Sequence, residues 1–252
     1  MRILLTNDDG IESPGLTQLA EKLSSDHDVW ICAPEGERSA CSHSITLRGP
    51  IAVRKKRERV FVCDGTPADC VLISLKGLID KSIDMVISGI NAGPNLGTDI
   101  IYSGTVAAAR QGALMGIPSL ASSFCSREKS SSYEIPVQFL SHNAETFYRL
   151  WSKDHFLNLN FPGVMNNGMK VAVTFPSIRY YHDVLKKFHA PDGALYCFLD
   201  GGDPDSSMER GSDDYAIKAG MISISPISIH PGYEPVIEQY RTTSFWKGSD
   251  EV

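Results

Sequence analysis

Alternation constrains this chain more than any other feature: short apolar runs and helix-period segments follow one another through its first half. RILLTN (2–7) is a continuous apolar run, the pattern of a strand buried on both faces. Behind Pro14, the residues Leu16, Leu19, Ala20 and Leu23 fall at i, i+3, i+4 and i+7, one face of an amphipathic helix. DVWICAP (28–34), DMVISGI (84–90) and PSLASSF (118–124) read as further strands, with PADCVLISLKGLID (67–80) and SGTVAAARQGALMG (103–116) as helices. Thr66, Pro67 and Asp69 give the first of these helices a cap, an N1 proline and a capping-box acid. This order predicts an α/β fold: a three-layer, mainly parallel, Rossmann-like sheet with helices on both faces.

Residues 42–65 read instead as β-strands with a hairpin. Beyond residue 130 the pattern predicts a helix from about Glu134 to Trp151 and strands at FLNLNF (156–161), KVAVTF (170–175) and GMISISPISI (220–229). Residues 178–212, rich in Gly, Asp, Pro and Ser, read as a hairpin or loop excursion from the sheet. The 230–252 segment carries Val236, Ile237, Tyr240, Phe245 and Trp246, too apolar for solvent, and is expected to be a C-terminal arm packed on a neighbouring subunit. The whole of 1–252 is expected to form a single α/β domain.

Composition narrows the function classes. The balance of 24 Lys+Arg against 30 Asp+Glu, a formal net charge of −6, argues against a nucleic-acid or anionic-membrane binder. No apolar run approaches the roughly 20 residues of a membrane helix, and Ile3-Leu4-Leu5 is too short for a signal peptide's core. The cysteines form no C-x-x-C pair, and the expected setting is the reducing cytoplasm.

The chemistry concentrates at strand ends. Asp8 and Asp9 close the first strand in TNDDG. Asn-Asp-Asp-Gly is good turn chemistry, but two ionised carboxylates about 5 Å apart repel by roughly 3 kcal/mol at an effective dielectric near 20. A divalent cation relieves that repulsion, provided the chain turns at Gly10 to bring both side chains together. After the second strand come Arg38, Ser39, Ser42, His43 and Ser44; after DMVISGI come Asn91, Asn95, Ser103, Gly104 and Thr105. Ser103-Gly104-Thr105 opens a helix, where free backbone N–H groups suit a phosphate. Carboxylate, hydroxyl and amide oxygens are hard ligands that suit Mg²⁺ or Mn²⁺. A cation beside an anion nest is the composition of a phosphate-ester site.

TNDDG, ERSACSHSIT, DGTPADCV, SGINAGPNLGTDIIYSGTVAAA and GMISISPI, in that order, resemble the SurE family of metal-dependent acid phosphatases and nucleotidases. The resemblance is strong from residue 1 to about 125 and weaker to about 230. It implies a cytoplasmic homodimer or homotetramer that removes phosphate from nucleoside 5′- and 3′-monophosphates, with short polyphosphate as a further substrate. It implies one divalent ion per subunit on Asp8, Asp9, Ser39 and Asn91, and a substrate phosphate on Asn95, Ser103, Gly104 and Thr105. Asp8 or Asp9 then either orients a water or attacks phosphorus. Cys41, Gln111 and His230 depart from the family pattern. The competing reading is a nucleotide-sensing module that binds without hydrolysis.

Other motifs carry less. His43 is a candidate accessory acid, although one His in a polar loop more often serves as a hydrogen-bonding residue. No G-x-S-x-G elbow is present, and DDG stands where a dinucleotide fold needs G-x-G-x-x-G. RKKRER (54–59) reads as a solvated hairpin, and DGGDPD (200–205) lacks complete EF-hand spacing.

Overall fold

The structure, a computed structural model, describes residues 1–126, 132–165 and 168–231. The chain begins with β1 (Arg2–Thr6), α1 (Pro14–Leu23) and β2 (Asp28–Pro34). The predicted hairpin follows as β3 (Val53–Arg57) and β4 (Val60–Cys63), then α2 (Pro67–Ile73), β5 (Met85–Ala92), α3 (Gly104–Leu114) and β6 (Ser119–Cys125). The second half contributes α4 (Glu134–Leu150), β7 (His155–Pro162) and β8 (Val171–Val173). The excursion carries β9 (Arg179–Tyr180), β10 (Val184–His189), β11 (Leu195–Asp200) and β12 (Asp205–Ser206), before α5 (Asp213–Lys218) and β13 (Ile222–Ser228).

The main sheet runs β3-β4-β2-β1-β5-β6-β7-β13-β8. From β4 to β7 every pairing is parallel; β3 is antiparallel to β4, and β13 is antiparallel to β7 but parallel to β8. Side-chain alternation along β1 divides the core into layers. Ile3 and Leu5 meet Leu16, Leu19 and Leu23 of α1 and Leu140 of α4, while Leu4 points the other way against Cys70 and Val71 of α2. Leu16, Leu19 and Leu23 are fully buried, each stabilising by about 1.5–3 kcal/mol. Helix α3 is nearly all small residues and is buried round much of its circumference, as a helix wedged against both sheet and α2 requires.

The capping box of Thr66 and Asp69 forms as expected, but α2 is shorter than the 67–80 pattern predicts. After Ile73 the backbone widens into a π turn (Ser74–Leu78), in which Gly77 adopts φ 135°, a conformation that halts the helix. The basic run is ion-paired: Arg54 to Glu35 at 2.6 Å, Lys56 to Glu12, and Arg59 to Asp28 at 2.5 Å. In the excursion, β10 and β11 form a hairpin outside the main sheet, and β9 pairs with β12. Of the expected C-terminal arm, residues 232–252 lie outside the described residues, together with Val236, Ile237, Tyr240, Phe245 and Trp246.

Candidate active site

Strand β1 is flanked by β2 on one side and β5 on the other, so the connections leave it in opposite directions. A crevice opens at the carboxyl ends of such strands. Asn7 shapes the exit from β1: its Nδ2 donates to Gly10 O (2.9 Å) and Ser13 Oγ (2.6 Å), and its Oδ1 accepts from Gly10 N (3.2 Å). Gly10 has φ +100°, and a Cβ there would stand 3.0 Å from Gly36 Cα, so only glycine fits this turn.

The turn delivers both carboxylates to the crevice. Asp8 is buried, and its Oδ1 accepts the Thr105 hydroxyl at the start of α3. The Thr105 backbone also hydrogen-bonds this carboxylate. Asp9 Oδ2 accepts from Ala92 N at the end of β5 (3.1 Å). Burial raises the Asp8 pKa despite the Thr105 bonds. Burial, then the neighbouring Asp8 charge, pushes Asp9 up to about 6. Glu37 adds a further anionic field to both, a contribution that sequence reasoning missed because Glu37 stands in a loop of ordinary polarity. Among the described residues neither Asp8 nor Asp9 joins an ion pair. The crevice therefore holds concentrated negative charge that lacks a protein cation.

The remaining site candidates lie on the loop after β2, at and beyond the end of β5, and at the start of α3. Arg38 N donates to Asp8 O (2.7 Å), bringing the post-β2 loop to the crevice; Ser39, the next residue, donates its hydroxyl to Glu37 (2.7 Å). Ala40 and Ser42 both take φ 55°, a strained local path. Cys41 packs into the site: a Cβ on Gly104 would lie 2.9 Å from Cys41 Sγ, 3.0 Å from Asp8 Cβ and 3.1 Å from Asp8 Oδ2. Gly104 is thus the clearance through which Asp8 reaches α3. Asn91 lies at a register shift between β5 and β6, and its Nδ2 donates to Gly93 O (3.0 Å).

The start of α3 is partly committed. Val106 N is capped by Ser103 Oγ (3.1 Å), and Ala107 N donates to Ser103 O (3.1 Å). Thr105 serves Asp8, leaving Gly104 N–H as the first-turn donor with no partner among the described residues. Asn95 is buried and clamped: its N–H donates to Asn160 Oδ1 (2.9 Å), its carbonyl accepts from Asn158 (2.8 Å) and Asn160 (3.0 Å), and its Nδ2 donates to Ser123 Oγ (2.8 Å). Sequence reasoning missed these three partners. The signal was present in FLNLNF, where two Asn at period 2 share one face of a strand that ordinarily disfavours them. His43 Nε2 pairs with Gln111 Oε1 (3.0 Å), and burial lowers its pKa.

Among the described residues no group of three or more His, Cys, Asp or Glu is placed to hold a metal. Apart from the Cys41 thiol, the donor set on offer is two carboxylates with neutral amide and hydroxyl oxygens, which fits a hard divalent cation.

These features define an open α/β protein with an acidic crevice and a helix N-terminus at its topological switch point. The chain belongs to the SurE family, whose model, Survival protein SurE, matches residues 3–183. It is 43% identical over 234 residues to the 5′-nucleotidase SurE of Pseudothermotoga lettingae, covering 91% of this chain and 89% of that protein. It is 41% identical to the 5′-nucleotidase SurE of Kosmotoga olearia, covering 90% and 92%. Among solved structures, the SurE protein from Aquifex aeolicus superposes with a TM-score of 0.84 at 33% identity, over 96% of this chain and 98% of that one.

Proposed function

We propose that this protein is a divalent-metal-dependent phosphomonoesterase that hydrolyses nucleoside 5′-monophosphates, and also 3′-monophosphates, to nucleoside and phosphate. One observation carries the reading: a buried carboxylate, Asp8, stands against the start of a helix with half-buried Asp9 beside it, and among the described residues neither pairs with a protein cation. The names of the relatives, 5′-nucleotidase SurE, support the same reaction class. Asp8, Asp9, Asn91 and Ser39 would hold the ion, whose chemistry is Lewis-acid polarisation of a phosphate oxygen and a lowered pKa for bound water. Mg²⁺ and Mn²⁺ match the donor set. Gly104 N–H, the Ser103 hydroxyl and the Asn95 amide bind the remaining phosphate oxygens. Thr105 acts one step back, orienting Asp8, and His43 fastens its loop to α3 through Gln111. Asp8 or Asp9 aligns the nucleophile.

The test is phosphate release from adenosine 5′-monophosphate with Mg²⁺ or Mn²⁺, with and without chelator. Turnover is expected only with metal, and Asp8→Asn is expected to lower it about a thousandfold while the fold survives. Full activity in folded Asp8→Asn, or indifference to chelator, overturns the proposal; tight nucleotide binding without release favours the sensor.

We read residues 1–252 as one domain and the working form as a homo-oligomer. Support comes from the β10–β11 hairpin, where Leu185, Phe188, Leu195, Phe198 and Leu199 are exposed. A two-stranded sheet without a packed face is marginal by itself. Among the described residues no helix is long and apolar enough to cross a membrane. The buried free thiols of Cys32, Cys63 and Cys70 support a cytoplasmic setting.

A further inference from the structure

An aromatic rim stands beside the proposed phosphate site. The 3₁₀ turn at Gly97–Ile101 and Tyr102 lead directly into Ser103, so the Cα of Tyr102 lies about 3.8 Å from that of the helix cap. Tyr102 is 54% exposed. Its backbone is pinned from the opposite loop: Ser42 N donates to Tyr102 O (2.9 Å) and Ser42 Oγ to Ile101 O (2.7 Å). From the excursion comes Tyr181, 44% exposed, whose hydroxyl donates to Asp99 Oδ1 within that same 3₁₀ turn. Arg179 pairs with the other Asp99 oxygen at 2.5 Å, and its backbone N–H donates to Thr98 Oγ1 (3.2 Å). Tyr102 N also donates to Asp99 O (3.0 Å), so both tyrosines converge on Asp99; burial and the Asp99 carboxylate push Tyr181 up to about 12, and it keeps its proton.

Each part of this cluster has an evident consequence. Arg179 cancels the Asp99 charge, so the rim adds no anionic repulsion where an anionic substrate must enter. The bond from Tyr181 to Asp99 fixes the hydroxyl end of a ring that remains open to solvent. An exposed aromatic residue held rigidly at its polar end, next to a phosphate-binding turn, presents the surface on which a flat heterocycle stacks.

We propose that Tyr102 and Tyr181 form the nucleobase subsite of this active site, with Asp99 and Arg179 as positioning residues for Tyr181. The inference rests on the phosphomonoesterase reading and extends it: the 178–212 excursion supplies substrate recognition as well as surface. Stacking serves any base, so the subsite selects nucleotides over other phosphomonoesters without a sharp choice among bases.

The experiment compares kcat/KM for adenosine 5′-monophosphate with that for ribose 5-phosphate, which presents a similar ester without the base. Wild type is expected to prefer the nucleotide. Tyr181→Ala and Tyr102→Ala are each expected to shrink that preference about tenfold through KM, and Tyr181→Phe to retain most of it. An equal loss on both substrates, or a wild type that hydrolyses both without preference, overturns the subsite while leaving the phosphomonoesterase intact. Should wild type hydrolyse neither, the activity itself has failed; calorimetric affinities for the same two compounds then decide the subsite, which falls if Tyr181→Ala leaves their ratio unchanged.

Discussion

Asp8 and Asp9 differ in their company. Asp8 is held by Thr105 and Asp9 by a single backbone amide, yet burial acts against the charged form of both. For Asp9 the consequence is measurable. Its folded pKa of about 6 lies above the ordinary 3.8, so the fold favours the acid and the unfolded chain favours the carboxylate. In metal-free protein its contribution is most favourable below pH 4 and is lost as pH rises through about 6, by roughly 3 kcal/mol in all. Thermal melts of wild type against Asp9→Asn should show wild type losing ground across that interval, and Mn²⁺ should restore it at pH 7. A difference that stays flat with pH would contradict the assigned burial. TNDDG foretold the pair and the Gly10 turn from local chemistry alone. It gave no hint of Glu37 or of the Thr105 contact, because both depend on chain brought in from elsewhere.

Strands and helices were legible where one period dominated. The strands β1, β2, β5 and β6 and the helix faces of α1 and α4 followed from apolar spacing. The end of α2 did not, since the apolar pattern of LISLKGLI continues through a turn that Gly77 imposes on the backbone. Strand β7 shows the opposite case. Its Leu157, Leu159 and Phe161 face the α1–α4 layer, while Asn158 and Asn160 turn to the other side and grip the Asn95 loop. Asn160→Ala leaves the buried Asn95 N–H without its acceptor and should destabilise the protein by about 1–3 kcal/mol in urea unfolding. Loss of phosphatase activity should exceed what the unfolded fraction explains, because the loop behind the proposed phosphate contacts has been released. Unchanged stability would mean that Asn95 is held by other means.

The assembled sheet sets the crevice where the order reverses between β2, β1 and β5, while the β10–β11 hairpin lies outside that sheet. Along the hairpin, Leu185 faces Leu199 across the strands, and Phe188 and Phe198 meet edge-on at 5.6 Å between ring centroids. Both faces carry apolar side chains, which suits the proposed contact with a second copy of the chain. The double variant Leu185→Glu, Leu199→Glu should lower the mass measured by light scattering to that of a smaller species; an unchanged mass would exclude the hairpin from the interface. Sequence patterning identified the excursion but not its shape, because an exposed hairpin satisfies no period against the core.

The placement of β13 has a bearing on synthesis. It is inserted between β7 and β8, which precede it in the chain and do not pair with each other. A nascent polypeptide that has not yet emerged past Ile222 therefore presents the border of β7 with open amide and carbonyl groups, and β8 has nothing to join. Such a border invites pairing with foreign strands. Emergence of β13, and not local folding of the amino-terminal half, is what closes the sheet against adhesion.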